Sequence, residues 1–288
     1  MSRKIISFLN MKGGVCKTTL CKEIAFFLTT KLNKSVLVID IDPQSNCTQS
    51  FFEKFKILGY DKEEIITKKS EIPSIEKVFS PGKGNLEGVE SKDVIFKLNE
   101  NLHIIPGELH TIFMERETGS GAAEQRLTNF IDENKIKEEY DYIFVDCPPT
   151  YSFYTIAALL ASDFYFVPVV PDAYSLLGVN LLEDVVKQLK KSYKTNFMFK
   201  PLDNLGVIFT KIPSTLMLTS GMSRNMEQIR QELEDRITCF DNYLIKYDKV
   251  ISSQLHTFII DRKDKNMYNN LNKICMEFIV KVESYNGE

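Results

Sequence analysis

Short apolar runs alternate with longer segments of helical periodicity along most of the chain. The runs are rich in β-branched and aromatic residues and are almost continuously apolar, which is typical of parallel strands covered on both faces. We predict strands at Ile5–Leu9, Val36–Ile41, Leu102–Ile105, Tyr142–Cys147, Phe164–Val170 and Gly206–Thr210. We predict helices at Thr18–Leu32, Gly121–Asn134, Thr155–Ala161, Leu176–Lys191, Ser220–Asp235 and Asn266–Ser284. This alternation predicts an α/β fold, a doubly wound and mostly parallel sheet flanked by helices.

One long stretch, residues 53–101, interrupts the alternation. It contains Lys68-Lys69 and the turn-forming run Ser80-Pro81-Gly82, and its apolar content is too thin for a core of its own. We therefore expect a helical excursion with an exposed loop rather than a separate domain. Because no repeat or linker rich in Pro, Gly or Ser divides the 288 residues, we expect a single domain over 1–288.

The composition limits the classes of function. Hydrophobic residues make up 43% and charged residues 26%, the balance of a globular protein. The net charge of −3 means that nucleic-acid binding would need a local basic patch. No stretch approaches the roughly 20 apolar residues of a membrane span. The six cysteines form no CxxC pair and no metal-ligand spacing, so we expect a reduced, cytoplasmic protein.

A candidate phosphate-binding loop lies between the first predicted strand and the first predicted helix. Backbone N–H groups of a glycine-bearing turn form an anion-binding nest, and the helix N-terminus adds its positive dipole end. We expect Lys17 to reach the β- and γ-phosphates and the Thr18 hydroxyl to ligate Mg²⁺. A chance lysine and threonine after glycines is the alternative. The other residues expected around the nucleotide here are Lys12, Gly13, Gly14, Val15, Cys16 and Thr19.

The loop departs from the general pattern GxxxxGK[ST], whose two glycine positions are Met11 and Cys16 here. Its Lys-Gly-Gly-x-x-Lys-Thr run resembles the deviant Walker A loop of the ParA/MinD ATPase family, with the ParA (Soj-like) partition ATPases as the nearest group. The resemblance implies ATP and Mg²⁺ as cofactors and a homodimer with the nucleotide sandwiched at its interface. It also implies that Lys12 acts on the partner's γ-phosphate across the dimer; a solvated loop lysine is the alternative.

Cys16 stands where the family's loop has a glycine. Glycine adopts a positive φ at little cost and lets the backbone approach phosphates, so we expect cysteine to reduce nucleotide affinity or turnover. A thiol at a helix N-terminus beside Lys17 also suggests a second hypothesis, a thiolate of low pKa that senses redox state.

Acids follow two of the predicted strands. The segment Asp40-Ile41-Asp42-Pro43-Gln44 resembles the family's DxDPQ element. This implies that Asp42 orients the attacking water and that Asp40 supports Mg²⁺, although Asp40 capping the next helix is an alternative. Asp146 ends an apolar strand before two prolines, the form of a Walker B acid that holds Mg²⁺ through water.

The resemblance continues toward the C-terminus. Residues 166–178 resemble the stretch that leads into a helix at the family's dimer face. The strand ending in Thr210 and Lys211 resembles the one that approaches adenine, which implies nucleotide contacts from both residues. Ile245–Gln254 aligns loosely with the family's C-terminal loop.

Partition is the function that the sequence favours within this family. The resemblance implies an ATP dimer that binds nonspecific DNA on the nucleoid and is released when a ParB-like centromere-binding protein stimulates hydrolysis. We expect DNA contacts at Lys246, Lys249, Arg262 and Lys263. A MinD-like membrane-positioning ATPase is an alternative, but an acidic tail such as Glu283–Glu288 would be repelled by anionic lipid, so no membrane is expected. Another ATP-dependent enzyme of the same fold is the second alternative.

Overall fold

A seven-stranded sheet forms the centre of the fold in the computed structural model. The structure describes residues 3–57, 72–79, 88–108, 121–213, 220–233, 235–246 and 257–285. The strands are β1 (Lys4–Phe8), β2 (Val36–Asp40), β3 (Phe96–Lys97), β4 (Leu102–Ile105), β5 (Tyr142–Asp146), β6 (Phe164–Val169) and β7 (Asp203–Phe209). Their order is β3-β4-β2-β5-β1-β6-β7, and only β3 runs antiparallel to its neighbour. The predicted α/β fold with a mostly parallel sheet is confirmed.

Helices cover both faces of this sheet. Those within the described residues are α1 (Lys17–Lys31), α2 (Asn46–Phe55), α3 (Glu76–Phe79), α4 (Gly121–Glu124), α5 (Arg126–Glu133), α6 (Phe153–Ala161), α7 (Ser175–Ser192), α8 (Lys194–Phe199), α9 (Ser220–Leu233) and α10 (Lys265–Ser284). Short 3-10 turns occur at Ser91–Asp93, Ile136–Glu138 and Ile259–Asp261. The six predicted helices are all present, with ends shifted by a residue or two, and one of them is split into α4 and α5. Among the described helices, none is both long and apolar enough to cross a bilayer.

Two apolar layers explain why the strand predictions succeeded. In β1, Ile6 and Phe8 face the layer that contains α1 and α10, whereas Ile5 faces the layer that contains α6 and α7. The Phe8 ring meets Phe144 at 5.1 Å and Phe166 at 5.5 Å between centroids, both edge to face. Successive strand residues point to opposite faces of the sheet. Because both faces are buried, the residues on each face are apolar, and each strand is a nearly continuous apolar run.

The stretch 53–101 differs in part from the expected helical excursion. Its described part holds the end of α2, the short helix α3, a 3-10 turn and the antiparallel edge strand β3, which the sequence did not predict. Ile75, Val78 and Phe79 are buried in the same apolar layer as α6. Residues 58–71 and 80–87, including Lys68-Lys69 and the Ser80-Pro81-Gly82 turn, lie outside the described residues. The single-domain organisation stays a prediction.

A second, two-stranded sheet was also missed. It pairs β8 (Ile212–Pro213) in parallel with β9 (Ile245–Lys246). Strands of two residues are too short for alternation to register in a sequence, and their pairing joins distant parts of the chain. This small sheet places residues 244–246 next to the end of β7, because Leu244 N–H donates to Phe209 O at 2.8 Å.

Candidate nucleotide-binding site

The predicted phosphate loop connects the carboxyl end of β1 to the start of α1. Asn10 holds its entry: its Oδ1 accepts from Lys12 N–H at 2.9 Å and its Nδ2 donates to Pro168 O at 2.7 Å. Two loop residues, Gly14 (φ 71°) and Cys16 (φ 69°), adopt the left-handed conformation. Positive φ values of this kind turn successive N–H groups toward one side, which is the geometry of an anion nest.

A cavity of about 480 Å³ opens over this loop, within the range of small-ligand sites. It is lined by Gly13, Gly14, Val15, Cys16, Lys17, Thr18, Thr19, Asp42, Gln44, Asn46, Pro149, Lys211, Leu244, Ile245, Lys246 and Ile259. Most of the expected nucleotide residues therefore meet at one cavity. Two of them, Lys12 and Thr210, are not on its wall.

Lys17 lies in the loop at the base of the cavity. Its ammonium is 3.4 Å from the carbonyl oxygen of Lys12, and the residue is only 6% exposed. Burial lowers the pKa of Lys17, and the carboxylates of Asp146 and Asp42 act in the opposite direction. A buried ammonium is stabilised by negative charge close to it. A bound phosphate would supply such charge, so Lys17 is suited to bind one.

Lys12 takes a different position from Lys17. Its ammonium forms an ion pair with the Asp172 carboxylate, and both side chains are about two-fifths exposed (41% and 40%). Asp172 is itself held by the Ser175 hydroxyl at 2.9 Å and the Tyr174 N–H at 3.1 Å, where α7 begins. The two lysines of the loop are thus separated: Lys17 serves this chain's cavity, and Lys12 lies outside its wall.

Asp40 and Asp146 lie opposite each other in the register of β2 and β5. Both carboxyl groups are fully buried. Burial raises the pKa of Asp40 to about 7 and the pKa of Asp146 well above its usual range, and the nearby charge of Asp40 raises the pKa of Asp146 further. Two acids this close in a buried site do not readily ionise together.

Asp40 caps a helix. Its Oδ2 accepts from the N–H of Thr48 at 2.9 Å and from the Thr48 hydroxyl at 2.7 Å, in the first turn of α2. Its Oδ1 accepts from Asp42 N–H at 3.2 Å. Both oxygens are therefore used by protein donors, and the structure favours the capping alternative over direct Mg²⁺ ligation by Asp40.

Asp146 has the opposite environment. Both of its carboxylate oxygens are buried without a hydrogen-bond partner among the described residues, while the Thr18 hydroxyl is near enough to lower its pKa. A buried unsatisfied carboxylate beside a hydroxyl fits Mg²⁺, which prefers oxygen ligands and binds through one or two carboxylates plus phosphate oxygens. The described residues contain no cluster of three or more His, Cys, Asp or Glu that could hold a metal alone, so Thr18 and Asp146 would need phosphate to complete the site.

Asp42 lies on the cavity wall and is 8% exposed. Its Oδ1 accepts from Gln44 N–H at 2.9 Å, which orients the carboxylate within the turn before α2. The position agrees with the expected water-orienting role, which stays a prediction.

The redox hypothesis for Cys16 is wrong in its premise. Burial raises the pKa of the thiol, outweighing the nearby Lys211 ammonium, the Thr210 hydroxyl and Lys17. The thiol therefore stays protonated and weakly nucleophilic. The conformational expectation is supported, because Cys16 has the backbone angles that glycine adopts most easily.

Of the two residues expected to contact the nucleotide at the end of β7, Lys211 lines the cavity and Thr210 does not. The Thr210 hydroxyl donates to the Val15 carbonyl at 3.1 Å and is fully buried, so it braces the phosphate loop instead of contacting nucleotide. Lys211 lines the cavity in a left-handed conformation (φ 58°). Its ammonium would be 3.9 Å from a Cβ built on Gly14, which places a positive charge above the loop.

Sequence reasoning missed the apolar side of the cavity. Leu244, Ile245 and Ile259 line it, and only the loose resemblance of residues 245–254 pointed toward this region. Gln44, Asn46 and Pro149 were also not predicted as wall residues. An apolar wall opposite a phosphate loop is suited to a nucleotide base.

Three of the four expected DNA contacts lie within the described residues. Lys246 lies on the nucleotide cavity wall, and Lys249 lies outside the described residues. Arg262 is half-buried, and its charge lies close enough to Lys22 to lower the pKa of Lys22. Lys263 is exposed. Lys246 is exposed at the rim of the cavity, at the end of the small sheet of β8 and β9, and its expected contact with DNA stays a prediction.

The chain matches the AAA domain family AAA_31 over residues 3–199. It is 34% identical to an uncharacterised protein of Methanocaldococcus jannaschii over 228 residues, and this aligned length covers 79% of each chain. It is 30% identical over 239 residues to the sporulation initiation inhibitor protein Soj of Bacillus subtilis, 81% of each chain. A solved structure described as a plasmid partition protein of Borrelia burgdorferi bound to AMPPNP has the same fold, with a TM-score of 0.69, 23% identity, and 96% and 99% of the two chains covered. The chain belongs to the ParA/Soj family of deviant Walker A ATPases.

Proposed function

We propose that this protein is a partition ATPase that dimerises on ATP, binds nonspecific DNA on the nucleoid and leaves it when a ParB-like centromere-binding partner stimulates hydrolysis. Membership of the ParA/Soj family supports the partition class. The observation that carries the proposal is the separation of the two loop lysines, one inside the cavity and one outside it.

The exposed position of Lys12 supports a role on a nucleotide other than its own. It belongs to the phosphate loop, its side chain is 41% exposed, and its present partner is a surface carboxylate, Asp172. A second copy that presents its γ-phosphate to this face would offer Lys12 a stronger anion. A lysine supplied from outside the subunit would offset charge that develops during phosphoryl transfer, as an arginine finger does.

An exposed apolar surface beside Lys12 supports a second copy as the partner. Tyr174, Leu177 and Leu181 are 75%, 68% and 54% exposed, and they lie at or just after the start of α7. Their spacing puts them on neighbouring turns of one helix face. Contiguous exposed apolar side chains are characteristic of interfaces. Covering this face would bring a second molecule directly against the Asp172 turn that holds Lys12.

The residues of the site have complementary roles in the proposed hydrolysis. Lys17 would hold the β- and γ-phosphates, Asp42 would orient the water that attacks the γ-phosphate, and Lys12 would act from the partner subunit. Mg²⁺ held by Thr18 and Asp146 would neutralise phosphate charge. Asp40 supports this arrangement indirectly, because it fixes α2 and the Asp42 turn.

DNA binding requires a local surface, because the net charge of the chain is −3. Lys263 is exposed and does not line the cavity, which supports it as a candidate DNA contact. We expect the ATP dimer to bind weakly through each copy and more strongly through two copies together. Such binding should weaken steeply with added salt.

The proposal is tested by light scattering without nucleotide, with ADP and with ATP, followed by gel shifts on nonspecific DNA. We expect a dimer and salt-sensitive DNA binding with ATP alone. Lys17→Ala is the control, since it should lose nucleotide and remain monomeric. Binding to anionic liposomes without DNA binding would favour the membrane alternative and contradict partition.

A further inference from the structure

The turn at residues 258–261 is held against the phosphate-loop helix by two consecutive residues of α1. Ile259 N–H donates to Glu23 Oε2 at 3.0 Å. The Lys22 ammonium lies 4.5 Å from the centroid of the Phe258 ring. Adjacent side chains of α1 thus hold adjacent residues of a segment more than 200 positions later in the chain.

The helix α2 holds the other end of the same turn. Lys54 pairs with Asp261 at 2.5 Å, and its ammonium also lies 5.1 Å from the Phe26 ring. Phe258 and Ile259 are 0% and 2% exposed. The turn is therefore held on two sides, by the buried hydrogen bond to Glu23 on one side and by the more exposed pair of Lys54 and Asp261 on the other.

This turn forms part of the nucleotide cavity. Ile259 lines the wall together with Leu244 and Ile245. Glu23 is six residues beyond Lys17 on α1, which is about 9 Å along the helix axis from the phosphate-binding end. The apolar wall therefore lies where the base of a nucleotide would be if its phosphates occupied the loop.

Glu23 is an expensive residue to bury, and the proposed hydrolysis does not use it. It is 1% exposed, and its Oε1 has no hydrogen-bond partner among the described residues. Burial raises the pKa of Glu23 to about 7. Lys22, the Ile259 N–H and Arg262 lower this pKa, and the charge of Asp261 raises it. Cys275 of α10 also faces this carboxyl. The hydrogen bond from Ile259 N–H partly offsets the free energy that burying Glu23 costs, and it joins α1 to the turn.

We propose that Glu23 is a positioning residue which, with Lys22, fixes the Phe258–Ile259 turn as the wall that receives the base of the bound nucleotide. The inference rests on the nucleotide site of the proposed function, and it is independent of the dimer and of DNA. It predicts that loss of Glu23 weakens binding of the base and leaves binding of the phosphates intact.

Calorimetry with ATP and with inorganic tripolyphosphate, each with Mg²⁺, separates these two parts of the ligand. We expect Glu23→Ala to weaken ATP binding about tenfold, the effect of one lost buried hydrogen bond, and to leave tripolyphosphate binding unchanged. Glu23→Gln keeps an acceptor for Ile259 N–H, so it should restore ATP affinity to near the unsubstituted level. In steady-state assays KM for ATP should rise while kcat stays the same.

Ile259→Ala removes the wall directly and should give the same selective loss if Glu23→Ala fails to fold. Equal weakening of ATP and tripolyphosphate in the folded variants would overturn the proposal, as would unchanged ATP binding in both of them. The unsubstituted protein separates the two failures. If the unsubstituted protein binds ATP and the variants give either of these two results, only the role of Glu23 is overturned and the proposed function stands. If the unsubstituted protein binds no ATP, both proposals fall.

Discussion

Cys16 is held in a conformation that penalises every side chain with a Cβ. At φ 69° and ψ 28° it lies in the left-handed region, which costs an L-residue roughly 1–2 kcal/mol. Alanine at this position would keep that cost, whereas glycine would remove it. We therefore expect Cys16→Gly to be more stable than Cys16→Ala by about 1 kcal/mol in urea denaturation without nucleotide.

The comparison of these two variants cancels the loss of the thiol and its packing, because both remove it. Gly14 shares the left-handed conformation, so Gly14→Ala should be destabilised for the same reason. If the alanine variant at position 16 equalled or exceeded the glycine variant in stability, the left-handed conformation of Cys16 would be contradicted.

Lys12 should separate nucleotide binding from stimulated hydrolysis. Because it lies outside the cavity wall, Lys12→Ala should leave ATP affinity of the monomer within about twofold of the unsubstituted value. Partner-stimulated hydrolysis should be lost, since the charge supplied across the dimer is missing. Fluorescent nucleotide titration and phosphate release measure the two effects, and Lys17→Ala, which should lose both, is the matched control. Equal loss of both by Lys12→Ala would argue against a cross-dimer role.

At the scale of elements, α7 has a buried face and an exposed apolar face. Val179, Leu182, Val186 and Leu189 are buried, whereas Leu177 and Leu181 are exposed. The combined change Leu177→Asp and Leu181→Asp should abolish the ATP dimer by burying charge at the interface. Thermal stability and ATP binding of the monomer should change little, because both side chains are already in water.

The short helix α8 offers a control for this prediction. Phe199 is 85% exposed and lies beyond the end of α7, away from the Lys12 turn. Phe199→Asp should leave the ATP dimer intact in light scattering. Loss of the dimer in that variant, or its survival in the double aspartate variant, would move the interface away from the start of α7.

For the whole molecule, we expect three buried acids to make stability depend on pH. Burial raises the pKa of Glu23 and Asp40 to about 7 and raises the pKa of Asp146 well above its usual range. A carboxyl whose pKa is higher in the folded state favours folding while it is protonated, and this contribution is lost as pH rises through the folded pKa. We therefore expect the nucleotide-free protein to be more stable at pH 6 than at pH 8.

Glu23→Gln isolates one part of this effect. Glutamine cannot ionise, so the variant should lose about 1 kcal/mol less stability than the unsubstituted protein between pH 6 and pH 8. Urea denaturation at both pH values measures the difference. Asp184→Asn is the control, because Asp184 is 69% exposed and should not alter the slope. Identical slopes for all three proteins would contradict the buried, proton-holding state of Glu23.

The sequence by itself determined the features that depend on local pattern. Strands covered on both faces are continuous apolar runs, and amphipathic helices repeat with their own period, so the sheet and most helices were predictable. The phosphate loop was predictable as well, because Gly13, Gly14, Lys17 and Thr18 lie within six residues, between a predicted strand and a predicted helix, in a run that resembles the family's loop.

Only the tertiary structure decided which distant groups meet. The oxygens of Asp40 accept hydrogen bonds from Thr48 and Asp42, whereas both oxygens of Asp146, its neighbour in the sheet register, have no hydrogen-bond partner among the described residues. Lys12 meets Asp172, and Glu23 meets Ile259, over separations of 160 and 236 residues. A sequence pattern reports that a residue will be buried, but the partner of a buried polar group is set by the packing of elements far apart in the chain. That choice of partner is what distinguishes Asp40 from Asp146 and what joins Glu23 to the turn at residues 258–261.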